Sequence, residues 1–242
     1  MTVDFYNDYE DATKAGSYAK LEFPGTYYLA FRDLPEIIKE HAQGTNAVDF
    51  GCGAGRSTRF LRRLGWNAVG IDISPAMLAQ ARAIDPDGDY RLIREGGFDG
   101  MESGTIDLVL SAFTFDNIPA RETKGAILSG ISSLLQPKGR MVNLVSDPLI
   151  YTHEWVSFST GDYPENRRAR SGDRVLIVNT AIDDRRPVAD ILWSDEAYRD
   201  LYREAGLAVA GVYRPLGREE EPIDWVNETR IPPWAIYVLK KE

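Results

Sequence analysis

Between residues 46 and 147 short apolar runs alternate with stretches whose apolar residues recur every three or four positions. Ala47-Val48-Asp49-Phe50, Asn67-Ala68-Val69-Gly70-Ile71, Tyr90-Arg91-Leu92-Ile93-Arg94, Ile106-Asp107-Leu108-Val109-Leu110 and Arg140-Met141-Val142-Asn143-Leu144-Val145 are predicted as strands one to five. The fourth is almost wholly apolar, as a strand buried on both faces should be. Phe60, Leu61 and Leu64 mark a helix after strand one, and Pro75 opens another with Met77, Leu78 and Ala81 on one face. A further helix runs from Arg121 to Leu135 and stops at Gln136-Pro137-Lys138-Gly139. Strands alternating with helices predict a parallel sheet covered on both faces.

The flanks follow other patterns. Residues 1–40 read as amphipathic helix interrupted at Phe23-Pro24-Gly25, rich in aromatics at Tyr18, Tyr27, Tyr28 and Phe31. Pro35 stands near the start of a helix leading to His41. From Pro148 the alternation breaks, and residues 174–179 and 188–193 read as antiparallel strands joined across Asp183-Asp184-Arg185-Arg186-Pro187. Ser194 is placed to N-cap a helix that Gly206 ends, and residues 207–213 and 235–239 form the last two strands.

Composition narrows the class. The 242 residues are 43% hydrophobic and 27% charged, ordinary for a globular chain long enough to bury a sizeable core. A net charge of −9 argues against general attraction to a nucleic-acid backbone; the short cluster Arg167-Arg168-Ala169-Arg170 reads as a solvated loop. No apolar run is long enough to span a bilayer, and the acidic N-terminus lacks the character of a signal peptide. The single cysteine, Cys52, has no intrachain disulfide partner. The expectation is a cytoplasmic protein without membrane or nucleic-acid partners; oligomeric state stays open.

Strand one runs directly into Gly51-Cys52-Gly53-Ala54-Gly55, and strand two ends in Asp72. A strand, a glycine turn and then a helix let main chain approach a ligand closely. The spacing is G-x-G-x-G, neither the dinucleotide fingerprint G-x-G-x-x-G nor the phosphate loop G-x-x-x-x-G-K-[ST]. An acid after strand two suits a bidentate hydrogen bond to two ribose hydroxyls. Val48 to Met77 resemble the cofactor motif of class I S-adenosylmethionine-dependent methyltransferases. The Leu-Leu-x-Pro-x-Gly turn at Leu134–Gly139 extends the resemblance to residues 46–147.

The resemblance implies a Rossmann-like, seven-stranded, mostly parallel sheet with helices on both faces, an N-terminal helical cap and a β insertion after strand five. One methyltransferase domain would fill 1–242: cap 1–44, cofactor-binding core 45–147, substrate-covering insertion 148–193, and final helix with antiparallel edge strands 194–242. S-adenosylmethionine would lie along Gly51, Cys52, Gly53 and Gly55. Asp49 would hold the methionyl amine or, alternatively, tie the turn to its own backbone. Asp72 would bind the ribose, and Ile73 and Met77 would meet the adenine, although Met77 fits the core equally well. Glu95-Gly96 stands where family members often carry Asp-Ala for the adenine edge. Ser111 would contact the methionyl end through its backbone. Arg32 either pairs with the cofactor carboxylate or is an exposed helix arginine. Cys52, among glycines with no histidine near in sequence, reads as a small residue fitting a tight loop rather than a nucleophile. No metal is expected.

The acceptor site is expected among Tyr18, Tyr28, Phe113, Phe115, Tyr151, Trp155 and Tyr163, which suit a small planar or aromatic molecule. His153 is the candidate general base, with a hydrogen-bonded structural histidine as the alternative. Ile231-Pro232-Pro233-Trp234 is similar to a motif of amino-directed nucleic-acid methyltransferases but lies before the last strand, not after strand four. The expected activity is methyl transfer to an O or N atom of a small molecule. A non-catalytic S-adenosylmethionine-binding protein and an NAD(P)-dependent oxidoreductase are the alternatives.

Overall fold

The computed structural model describes residues 23–94, 96–98 and 100–242. Two short helices, α1 (Thr26–Arg32) and α2 (Leu34–His41), precede β1 (Asn46–Phe50), α3 (Arg56–Arg63), β2 (Asn67–Asp72), α4 (Pro75–Ile84), β3 (Asp89–Leu92) and β4 (Ile106–Ala112). Then follow α5 (Arg121–Leu134), β5 (Leu135–Ser146), β6 (Phe158–Ser159), β7 (Arg174–Asn179), β8 (Val188–Ile191), α6 (Asp195–Glu204), β9 (Leu207–Tyr213) and β10 (Trp234–Lys241). The main sheet has seven strands in the order β3-β2-β1-β4-β5-β10-β9. β1 to β5 are parallel, and β10 runs antiparallel to both β5 and β9. The chain winds outward from β1 to β3, then crosses back to β4 beside β1. That reversal opens a crevice at the carboxyl ends of β1 and β4, where open α/β sheets bind their ligands.

Side-chain alternation explains why the strands are apolar throughout. Ala47, Leu108, Leu110, Val142, Leu144, Ile236 and Val238 face α1, α2 and α3. Their neighbours Val48, Val109, Met141, Val145, Tyr237 and Leu239 face α5 and α6. Helix boundaries follow their caps: Ser74 accepts from the Met77 amide ahead of α4, and Ser194 accepts from Ala197 ahead of α6. One boundary differs from expectation. Leu135 already pairs with Ile106, and the next pair in register is Leu108 with Arg140. Gln136 to Gly139 therefore bulge out of a strand that has begun, where the sequence reads as a turn before one. Pro137 has no amide to give the ladder, and a Cβ on Gly139 would meet the Ile106 carbonyl oxygen at 2.7 Å.

After β5 the chain builds a small sheet in the order β6-β7-β8. It is fastened to the N-terminal helix: the Thr26 amide donates to Ser157 Oγ and the Ser157 amide to Thr26 Oγ1, both at 3.0 Å. The carboxylate of Glu228 is fully buried. Its Oε1 accepts from Thr26 Oγ1 at 2.7 Å and the Val156 amide at 2.9 Å, and its Oε2 from the amides of Val226 and Asn227. Four donors satisfy the buried charge. One side chain thus joins α1, the insertion and the segment before β10.

Candidate active site

The turn after β1 is held by its own hydrogen bonds. The amides of Gly51 and Cys52 both donate to the Ile71 carbonyl, and the Gly53 amide donates to Asp72 Oδ2 at 2.8 Å. Gly51 and Gly55 have φ of 70° and 81°, in the left-handed region. A Cβ on Gly55 would lie 2.5 Å from the Tyr90 hydroxyl, and one on Gly51 would collide with the Thr114 side chain. Glycine is required at both positions. Thr114 Oγ1 in turn donates to the carbonyls of Phe50, at 3.0 Å, and Gly51, at 3.3 Å, so the segment after β4 is clipped to the turn.

Three polar side chains sit at the carboxyl ends of adjacent strands. Asp49 is fully buried; its Oδ2 accepts from the hydroxyls of Ser57 at 2.7 Å and Thr58 at 2.6 Å, while its Oδ1 has no partner. Burial pushes the Asp49 carboxyl up to about 6, against the Thr58 and Ser57 hydrogen bonds that lower it. Asp72 accepts from the amides of Gly53 and Ser74, and burial raises its carboxyl too. Each of its oxygens keeps acceptor capacity for a hydroxyl. Ser111, paired with Phe50 across the sheet, has a buried hydroxyl without a partner. Unsatisfied buried acceptors beside a glycine turn are what a ligand bearing an amine and a ribose would complete.

Other expected cofactor residues are placed variously. Cys52 is buried, and its thiol is raised well above its ordinary value by burial and then by Asp49 and Asp72, which opposes a nucleophilic role. Met77 is buried with its methyl toward Gly53, whereas Ile73 is exposed. Glu95 lies outside the described residues; Gly96 beside it has φ 66°. The structure does not bring Arg32 to the turn: its guanidinium is taken up by Asp33, the Leu216 carbonyl and Glu221. Arg56, the first residue after the glycine turn, lies 5.0 Å from the Tyr27 ring centre and 5.2 Å from that of Phe31. It was not among the residues expected at the site. A cation at the positive end of a helix was the available signal, since it needs outside support.

Beside the segment clipped to the turn opens a cleft of about 430 Å³, open solvent included. Tyr27, Phe113, Phe158 and Trp234 supply one wall, with Phe113 and Trp234 ring centres 4.7 Å apart. Asp116, Asn117, Ser146 and Asp190 supply polar atoms. Phe113 has φ 65° and ψ 0°, the only non-glycine with positive φ among the described residues. That turn decides which rings reach the cleft. It swings Phe113 toward Trp234 and drops Phe115 into the opposite core, fully buried against Phe50. Of the expected acceptor residues, Phe113 lines the cleft, while Tyr151 sits behind it and donates to Asp190 Oδ2 at 3.1 Å. Trp155 is core, its indole donating to the Ile150 carbonyl. Tyr28 and Tyr163 are half-buried and do not line the cleft, and Tyr18 lies outside the described residues. Nor does His153 reach it: Nδ1 is engaged with the Leu149 carbonyl and the Thr152 hydroxyl. The aromatics that do line it, Tyr27, Phe158 and Trp234, were missed because cleft and core use the same residue types.

A doubly wound sheet with an antiparallel β10, a G-x-G-x-G turn and acids ending β1 and β2 are features this chain shares with class I S-adenosylmethionine-dependent methyltransferases, which it resembles. The methyltransferase domain family matches residues 48–143. Trans-aconitate 2-methyltransferases of Shigella dysenteriae and Escherichia coli are each 28% identical over 203 residues, covering 81% of this chain and 71% of the relative. In fold the chain is similar to a putative S-adenosylmethionine-dependent methyltransferase from Listeria monocytogenes (TM-score 0.66, 18% identity, 94% of this chain and 99% of that one). A methyltransferase from Mesorhizobium loti is likewise similar (TM-score 0.63, 18% identity, 88% and 98%). Among the described residues no helix is long and apolar enough to cross a membrane.

Proposed function

We propose that the enzyme methylates an O or N atom of a small, planar or aromatic molecule held in the cleft beside the glycine turn. The observation that carries this reading is the Thr114 clip, which ties the residue next to Phe113 of the cleft wall to the carbonyls of Phe50 and Gly51. S-adenosylmethionine supplies an electrophilic methyl carbon on a sulfonium. Asp49 Oδ1 would accept from the methionyl amine, Asp72 from the ribose hydroxyls, and Ser111 would meet the methionyl end. The Gly51–Gly55 turn would lie against the cofactor, with Met77 beneath it. Tyr27, Phe113, Phe158 and Trp234 would orient the acceptor and exclude water. Alignment of two bound reactants can lower the barrier by about 7–11 kcal/mol, which leaves little for the protein to add chemically.

Trans-aconitate, named for the relatives, is a small molecule and a tricarboxylate. The described residues lining this cleft include two carboxylates and no Arg, Lys or His, a setting that opposes a polyanion. The test is calorimetry with S-adenosylhomocysteine, followed by its detection as product with S-adenosylmethionine and a panel of amines, phenols and carboxylic acids. Binding and turnover of a planar amine or phenol are expected. Binding without turnover of any panel member, or turnover of trans-aconitate alone, would count against this acceptor class.

A further inference from the structure

The short turn Thr114–Asn117 that follows β4 carries a carboxylate into the cleft and is held from three sides. Asp116 and Asn117 line the cleft from this turn, next to Phe113 of its wall. Thr114 Oγ1 donates to the carbonyls of Phe50 and Gly51, tying the turn to the end of β1. The Ser146 amide at the end of β5 donates to Asp116 Oδ2 at 3.0 Å, and Lys124 of α5 donates to the Phe115 carbonyl. Asn117 Nδ2 closes the turn on the Phe113 carbonyl at 3.1 Å. The Asp116 carboxylate therefore keeps a fixed place relative to the glycine turn against which the cofactor would lie.

A carboxylate buried as Asp116 is costs free energy unless a counter-charge stands near it. Lys124 supplies that charge from behind the cleft, itself buried and facing the rings of Trp193 and Tyr198. The other titratable groups around the turn are Asp190 of β8, Tyr151 behind the cleft and Tyr198 of α6. Both tyrosines are buried and raised well above their ordinary value, so they stay neutral. Burial raises the Asp116 carboxyl, and Lys124 is the foremost group opposing the rise. An acid drawn up toward the working pH yet kept ionised is suited to take a proton. His153, the base expected from the sequence, does not line the cleft.

We propose that Asp116 is a catalytic residue that takes the proton of an acceptor hydroxyl, with Lys124 as a positioning residue that keeps its carboxylate ionised. This rests on the reading of the cleft as the acceptor site, and it makes the planar acceptor a phenol that enters uncharged. As the O–C bond forms, the C–S bond breaks and its electron pair leaves with sulfur as the neutral thioether. The O–H bond breaks with its electrons staying on oxygen, which becomes the ether oxygen, and the proton passes to the Asp116 carboxylate. One positive and one negative charge are consumed together. Proton transfer of this kind adds roughly 10²–10⁴-fold to what alignment supplies.

The test is a series of phenols from 4-methoxyphenol to 4-nitrophenol, with S-adenosylhomocysteine formation as the readout. The buffer is alkaline enough to ionise the nitrophenol and leave the methoxyphenol neutral. D116N should lose about 10²–10⁴-fold in kcat/KM on 4-methoxyphenol and less than about tenfold on 4-nitrophenol, which has already shed its proton. Calorimetry should show the affinity of D116N for S-adenosylhomocysteine unchanged. K124M should move the acid-side fall in kcat/KM upward by about 1–3 pH units, because the uncompensated carboxylate holds its proton more tightly. Since each single variant strands a buried charge, D116N/K124M repeats the series in a charge-balanced core and should show the same dependence on phenol acidity as D116N. Equal losses across the series, or a loss that follows phenol acidity in D190N and not in D116N, overturns the proposal. So does an unaltered enzyme that methylates amines and no phenol. Failure of the unaltered enzyme to bind S-adenosylhomocysteine would instead overturn the cofactor site, and binding without turnover of any phenol or amine would overturn the acceptor reading.

Discussion

Replacing Asp49 by asparagine separates a ligand-binding acid from a structural one. In the free enzyme the carboxyl is buried, hydrogen-bonded through Oδ2 and unpartnered at Oδ1, and it titrates near 6 where an exposed aspartate titrates near 3.8. A folded-state value raised above the unfolded one means that the native state holds this proton more tightly. Stability contributed by the group is then present at low pH and is lost as pH rises from about 4 through 6. That gap between the unfolded and folded values corresponds to about 3 kcal/mol of destabilisation at pH 7. An asparagine amide carries no charge to bury, so D49N should raise the unfolding free energy by up to about 3 kcal/mol at pH 7, roughly half that at pH 5, and under about 1 kcal/mol at pH 4. The same change removes the charged acceptor proposed for the methionyl amine, and affinity for S-adenosylhomocysteine should fall by about 10–100-fold. Urea denaturation of the free protein at the three pH values and calorimetry at pH 7 measure both. A D49N protein that is less stable at pH 7 yet binds normally would refute the reasoning and make Asp49 a brace for its own turn.

Three further outcomes follow from the geometry. G55A should cost about 2–4 kcal/mol in urea denaturation, because it adds left-handed strain to a clash with the Tyr90 hydroxyl. G104A, at φ 72° with open space around it, should cost only about 1–2 kcal/mol, and equal losses would sink the clash argument. At Phe113 the usual order of small residues should invert, with F113G more stable than F113A by about 1 kcal/mol in the same assay, since only glycine takes that backbone freely. K124M should lose about 3–5 kcal/mol by leaving Asp116 uncompensated, and most of that should return in D116N/K124M when thermal unfolding is compared across the cycle.

The glycine turn and the strands around it were legible in the sequence because their demands are local. Strand alternation fixed which segments became β1, β2 and β4, and only glycine meets the backbone needs at Gly51 and Gly55. The lining of the cleft was not legible, because its members come from seven separated stretches of the chain. Strand periodicity would set Phe113 and Phe115 on one face, but the left-handed turn at Phe113 sends them to opposite sides of the sheet. His153 looked suited to proton transfer among its aromatic neighbours; in the structure its Nδ1 meets the Leu149 carbonyl and the residue does not line the cleft. Trp234 read as part of a proline-rich tetrapeptide; the contact that brings it to the cleft is its indole N–H donating to the Thr26 carbonyl, 208 residues away in sequence. Asp190 read as one acid within an antiparallel strand, and only the packing of β8 against the turn Thr114–Asn117 brings it to the cleft.

Glu228 bears on how such an enzyme could acquire a new substrate. Its four hydrogen bonds stitch together parts of the chain that all lie outside the family-matched stretch at 48–143. The sheet and its glycine turn can therefore stay constant while the stitched parts vary, but those parts cannot vary one at a time. An insertion transplanted from another enzyme without a matching Thr26 and Glu228 would arrive with a buried carboxylate or a buried hydroxyl unanswered. The three segments are inherited as a set, and the set is closed by a residue that does not line the cleft.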